Sequence, residues 1–157
     1  MSQQRGVTIV EGLVALVILS VGMLGIASLY VTSLKTGRTA LLRTHAVNLV
    51  NDMIDSIRAN GSARAAYDLA DRTGEDPTAI SCGDDGVCTQ AEIAERDLAS
   101  WLEAVQKTLP GATGNIDFEA AAGGVPDVYV VSVEWREAGE SQDYRYDASL
   151  EMFPVTP

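Results

Sequence analysis

The chain reads as an α+β protein: one long N-terminal helix packed on a small antiparallel β-sheet. Three observations predict this. No proline occurs before Pro77, and apolar residues recur at helical spacing for most of that stretch. The helix pattern is apolar all round in its first half and one-sided in its second. Near the C-terminus, "VYVVSVEW" and "YRYDASLEMF" alternate apolar and polar residues with the period of a half-buried strand.

The first element is the apolar run Val7–Val31, "VTIVEGLVALVILSVGMLGIASLYV", in which Glu11 is the only charged residue. As a helix it would be about 37 Å long, enough to cross a hydrocarbon core of roughly 30 Å. Only a helix satisfies the backbone of a single crossing segment in lipid. The core is too long for a cleaved secretory signal. Gly22 and Gly25, with Ala27 and Ser28, offer small surfaces for close approach of another helix. Arg5 places the N-terminal end on the cytoplasmic side and the remainder outside.

The helical pattern continues through Leu34, Leu41, Leu42, His45, Leu49, Met53, Ile54 and Ile57, with polar residues opposite. It predicts one helix from about Thr8 to Asn60, stopped by Gly61. "ARAAYDLADR" is read as a short helix and "TGEDPTAISCGDDGVC" as a loop. Cys82 and Cys88 bracket "GDDGV". In an oxidising compartment they would form a disulfide worth roughly 2 kcal/mol. Calcium binding by Asp84 and Asp85 is the weaker alternative, since no EF-hand spacing is present.

"TQAE" (Thr89 to Glu92) is a capping box. The helix behind it carries Leu98, Trp101, Leu102, Val105 and Leu109 on one face and stops at "PG". "NIDFE" (115–119) is read as a third strand beside the two alternating strands, which are joined by "EAGESQ" as a hairpin loop. One strand turns Tyr129, Val131, Val133 and Trp135 inward, the other Tyr144, Tyr146, Ala148, Leu150 and Met152.

Composition narrows the function. The 157 residues carry a formal net charge of −11. The pI is about 4.3. That field opposes a nucleic-acid surface, which needs basic patches. His45 is the single histidine and has no catalytic motif around it. One histidine and two cysteines match no zinc spacing. The expectation is a protein with no enzymatic activity, no metal and no cofactor.

Glu11 is the anomaly. A charge at a bilayer centre costs about 2.5 to 3.5 kcal/mol on insertion scales, and an intramembrane acid is a functional candidate. A short basic leader ending in Gly6, then "VTIVE", then an unbroken apolar stretch, resembles the class III leader of type IV pilins and type II secretion pseudopilins. The resemblance implies cleavage by prepilin peptidase between Gly6 and Val7 and methylation of the new N-terminus at Val7. It implies that Glu11 pairs with the N-terminal ammonium of a neighbouring subunit during assembly. The chain departs from the family in having Val7 where phenylalanine is usual, and Gly12 where a bulkier residue is common.

"NDMIDSIRAN", "CTQAEIAERDLASWLEAVQKTLPG" and "VYVVSVEWRE" extend the similarity towards minor pilins. The implied division is a leader over 1–6, a transmembrane and assembly half-helix over 7–31, and a periplasmic domain over 32–157. The implied partners are other minor pilins, the major pilin, prepilin peptidase, the inner-membrane assembly platform and membrane lipid. The implied location is the inner membrane in a single pass, then the pilus at the cell surface. A minor pseudopilin of type II secretion is the alternative, and a membrane-tethered binding or sensor domain a third.

Overall fold

The computed structural model describes residues 8–70, 82 and 86–153. Contacts divide the chain into two units, Met1–Ala40 and Leu41–Pro157.

Helix α1 is Ile9–Ala59. In the first unit every residue from 8 to 38 is exposed. The hydroxyls in this stretch turn back onto the helix. Ser20 donates to the Val17 carbonyl at 2.8 Å, Thr32 to Ser28 at 3.1 Å and Thr36 to Thr32 at 3.0 Å. Such back-bonding satisfies polar side chains where no water is at hand.

In the second unit, α1 buries Leu42, Ala46, Leu49, Val50, Met53, Ile54 and Ile57, one stripe at spacings of three, four and one. The expected stripe began earlier. Leu34 in the first unit and Leu41 in the second are 69% and 57% exposed, so the buried face starts at Leu42. His45 is only half-buried.

The short helix expected over 63–72 is a single 3-10 turn, Arg64–Tyr67. The physical reason is tertiary. The N–H groups of Leu69 and Ala70 both donate to the Ile116 carbonyl, at 2.9 and 3.2 Å, and so leave the helical ladder. Arg64 opens this turn with left-handed backbone, φ 45°.

Helix α2, Gln90–Thr108, starts at the expected capping box: Glu92 N donates to Thr89 Oγ1 at 3.2 Å and Thr89 N to Glu92 Oε2 at 2.7 Å. It buries Ala94, Leu98, Trp101 and Val105, while Leu102 is only half-buried. Gly111 turns the chain at φ +60°.

Strands β1 (Thr113–Glu119), β2 (Asp127–Arg136) and β3 (Asp143–Met152) form an antiparallel sheet in that order. β1 starts two residues before the expected "NIDFE". The register sets Ile116 opposite Val131, Val131 opposite Ala148, and Trp135 opposite Tyr144. The inward faces are those the alternation predicted, although β3 buries only Leu150 fully. These faces and the α1 stripe share one core with α2, and Trp101 ties the helices together by donating its indole N–H to the Leu49 carbonyl at 2.8 Å.

Candidate assembly site

Glu11 lies in the first turn of α1. The sequence over 8–11, "TIVE", repeats the T-x-x-E pattern that starts α2. Accordingly Glu11 N donates to Thr8 Oγ1 at 3.4 Å, and Gly12 N to the Thr8 carbonyl at 3.2 Å. Thr8 thus caps the helix. Helical periodicity alone gives Thr8 as an approximate start, and the T-x-x-E spacing marks it as the cap. At the third helical position the Glu11 carboxylate also faces the positive end of the helix dipole. Gly6 and Val7 lie outside the described residues.

Beyond Glu11 the helix presents apolar side chains in every direction. Ile9 is 86% exposed, Leu24 71% and Leu29 72%. Isolated exposed leucines are ordinary, but a continuous apolar sleeve marks a surface meant for lipid or another protein. The helix is long and apolar enough to cross a membrane. An acid one turn from its end, with an apolar sleeve below, suits it to membrane anchoring and side-by-side packing.

The second unit holds its chain crossings with buried polar contacts. Arg64 donates from Nε and Nη2 to the two carboxylate oxygens of Asp127, each at 2.8 Å, and Ala121 N adds a third bond at 2.9 Å. Asp127 is 1% exposed. Its bond from Arg64 holds the carboxyl below the usual range, although burial alone would raise it. The same bond raises Arg64. Tyr67 donates to Asp97 Oδ2 at 2.8 Å and accepts from Asn60 Nδ2 at 3.2 Å; burial raises its pKa. Burial also pushes Tyr129 up to about 12. Sequence reasoning missed both clusters, because no local signal links residues 63 or 30 positions apart.

Cys82 and Cys88 form a disulfide, with Cα atoms 4.6 Å apart. Asp84 and Asp85, the alternative calcium ligands, lie outside the described residues. Among the described residues no group of three or more His, Cys, Asp or Glu side chains could hold a metal ion. The basic and acidic side chains of the outer sheet face pair with each other, as in Arg136 with Asp143 at 2.6 Å and Arg145 with Glu134 at 2.9 Å.

Two family models match the chain. One, described as the prokaryotic N-terminal methylation motif, covers residues 1–27. The other, described as type IV pilin Tt1218, covers residues 28–99. Over residues 28–99 the chain is similar to a type IV pilin, and over residues 1–27 it carries the methylation motif. No curated protein and no solved structure gives a significant match. The methylation motif thus falls on the helix whose apolar sleeve and Glu11 are described above, and the motif together with that helix indicates membrane anchoring. The pilin family is structural rather than enzymatic.

Proposed function

We propose that this pilin is a minor pilin of the pilus-modification type, PilV, which is processed and then built into the type IV pilus or its priming complex without enzymatic activity. The observation that carries the reading is the apolar sleeve of α1 with a lone acid, Glu11, in its first turn. Prepilin peptidase cuts between Gly6 and Val7 and Val7 is methylated. Residues 1–6 are then the leader, 7–31 the membrane and assembly segment, and 32–157 the periplasmic domain. Before assembly the chain crosses the inner membrane once, oriented by Arg5.

The freed α-amino group is a cation at the membrane edge, and Glu11 of the adjoining subunit is an anion one turn deep. Their pairing brings two opposite charges together in a weakly screening medium, which offsets the cost of desolvating both. It also sets the axial register between helices, much as a buried polar pair does in a coiled coil. The partners are the major pilin, other minor pilins, the peptidase and the inner-membrane assembly platform.

The test is N-terminal mass spectrometry of the membrane-extracted chain from cells with and without the peptidase. The expected mature end is N-methylated Val7, absent when the peptidase is deleted. An intact Met1 end in both strains would remove the basis of the assignment. Pilus number in a deletion strain then separates the pilus from type II secretion: fewer pili with normal secretion supports this reading, and the reverse pattern assigns the chain to the pseudopilins.

A further inference from the structure

We infer that the groove between α1 and β3 is a docking site for an extended, carboxylate-bearing segment of a neighbouring pilin subunit. The inference rests on the proposed incorporation into a pilus.

The groove is a cavity of about 400 Å³ lined by Arg43, Val47, Trp135, Tyr144, Arg145 and Tyr146. Its walls combine aromatic surface with a cation. Trp135 and Tyr144 stack with centroids 5.7 Å apart, and the Arg43 guanidinium carbon sits 5.5 Å from the Tyr144 ring centre. The two arginines differ. Arg145 is spoken for by Glu134 at 2.9 Å and Asp147 at 3.5 Å. Arg43 is exposed, and its one partner among the described residues is that ring.

Arg38 and Arg96 also lack a carboxylate partner among the described residues, and what sets Arg43 apart is its place over an aromatic ring in the groove. A guanidinium over an aromatic ring still has N–H donors for an incoming carboxylate. Trp135 contributes ring surface to the wall, while its indole N–H is buried.

A polypeptide fits better than a small anion. β3 is an edge of the sheet, paired with β2 on one side and with no strand on the other among the described residues. Its free backbone groups run beside the groove and can accept an extended segment. Tyr144 and Tyr146 stand half-buried on its inner face, so apolar contact remains to be made there.

The experiment is photo-crosslinking in cells with the full chain, using Tyr146→p-benzoylphenylalanine, an aromatic exchange in the groove. The expected product joins Tyr146 to a pilin peptide containing aspartate or glutamate, identified by sequencing the cross-linked peptide. Reversing the charge with Arg43→Glu should lower its yield by about tenfold, while Arg43→Lys should keep it within about twofold. If the Glu variant does not accumulate in the membrane, Arg43→Gln replaces it, with a loss of about fivefold expected. A product indifferent to Arg43, a product with lipid or an unrelated protein, or no product while the chain is present in sheared pili would each overturn the docking site alone. A chain absent from pili altogether would overturn the site together with the proposed function.

Discussion

Arg64 and Asp127 meet through two parallel hydrogen bonds of 2.8 Å, and they bind the turn after α1 to the first residue of β2. The pair is asymmetric: the Asp127 side chain is 2% exposed and that of Arg64 38%. Asp127 is held at the sheet's entry by Arg64 and Ala121 together. Removing Arg64 would leave a buried carboxylate with one donor; removing Asp127 leaves a cation that can turn to water.

Asp127→Ala should destabilise the second unit by about 1 to 3 kcal/mol, because it removes the acceptor of three hydrogen bonds. Denaturant unfolding of the detergent-solubilised chain measures this. The sign with pH follows from the lowered carboxyl. The folded form binds its proton less readily than the unfolded form, so the pair's contribution is complete above the ordinary carboxylate value of 3.8 and drains away as pH falls below it. The difference between wild type and Asp127→Asn should shrink in that acid range. A constant gap down to the lowest pH would refute the coupling.

Gly114→Ala should damage the core. A methyl group built there would lie 2.5 Å from Trp101 Cζ3 and 2.6 Å from Cη2, and the Trp101 ring is pinned by its bond to Leu49. Overpacking of this kind costs typically 1 to 3 kcal/mol. The expected readout is a lower melting temperature with blue-shifted or broadened tryptophan fluorescence; an unchanged melting curve would show that the ring moves aside freely.

Cys82→Ser should cost about 2 kcal/mol, the chain-entropy value for so short a loop. Non-reducing peptide mapping of the exported chain should recover Cys82 joined to Cys88. Two free thiols there would contradict the bond.

If Glu11 pairs as proposed, Glu11→Gln and Glu11→Ala should insert into the membrane as the wild type does and yet be depleted from sheared pili by at least about tenfold, because each would leave a neighbour's ammonium without its anion. Quantitative immunoblots of membrane and pilus fractions decide it. Wild-type amounts of either variant in pili would sink the pairing.

Much of the architecture was legible in local pattern. The capping box at Thr89 and Glu92, the alternation around Val131 and Leu150, and the apolar run beginning near Ile9 are all written within a few residues of each other. What stayed hidden depended on distance along the chain. Residues 63–72 have helical composition, yet the Ile116 carbonyl draws Leu69 and Ala70 out of the helix after one 3-10 turn. Leu34 and Leu41 fit the helical spacing of the buried stripe but are exposed. The Arg43–Tyr144 contact spans two elements that no spacing rule connects.

By itself the sequence determined the helix, its apolar sleeve, the lone acid at its start and the alternating strands, since those rest on backbone periodicity and on the immediate cost of exposing apolar groups to water. Tertiary structure alone decided which carboxylates are buried, where the chain after Tyr67 leaves the helical ladder, and which arginine lies over the Tyr144 ring. Those outcomes come from packing between segments brought together only by folding, where desolvation and paired hydrogen bonds outweigh local preference.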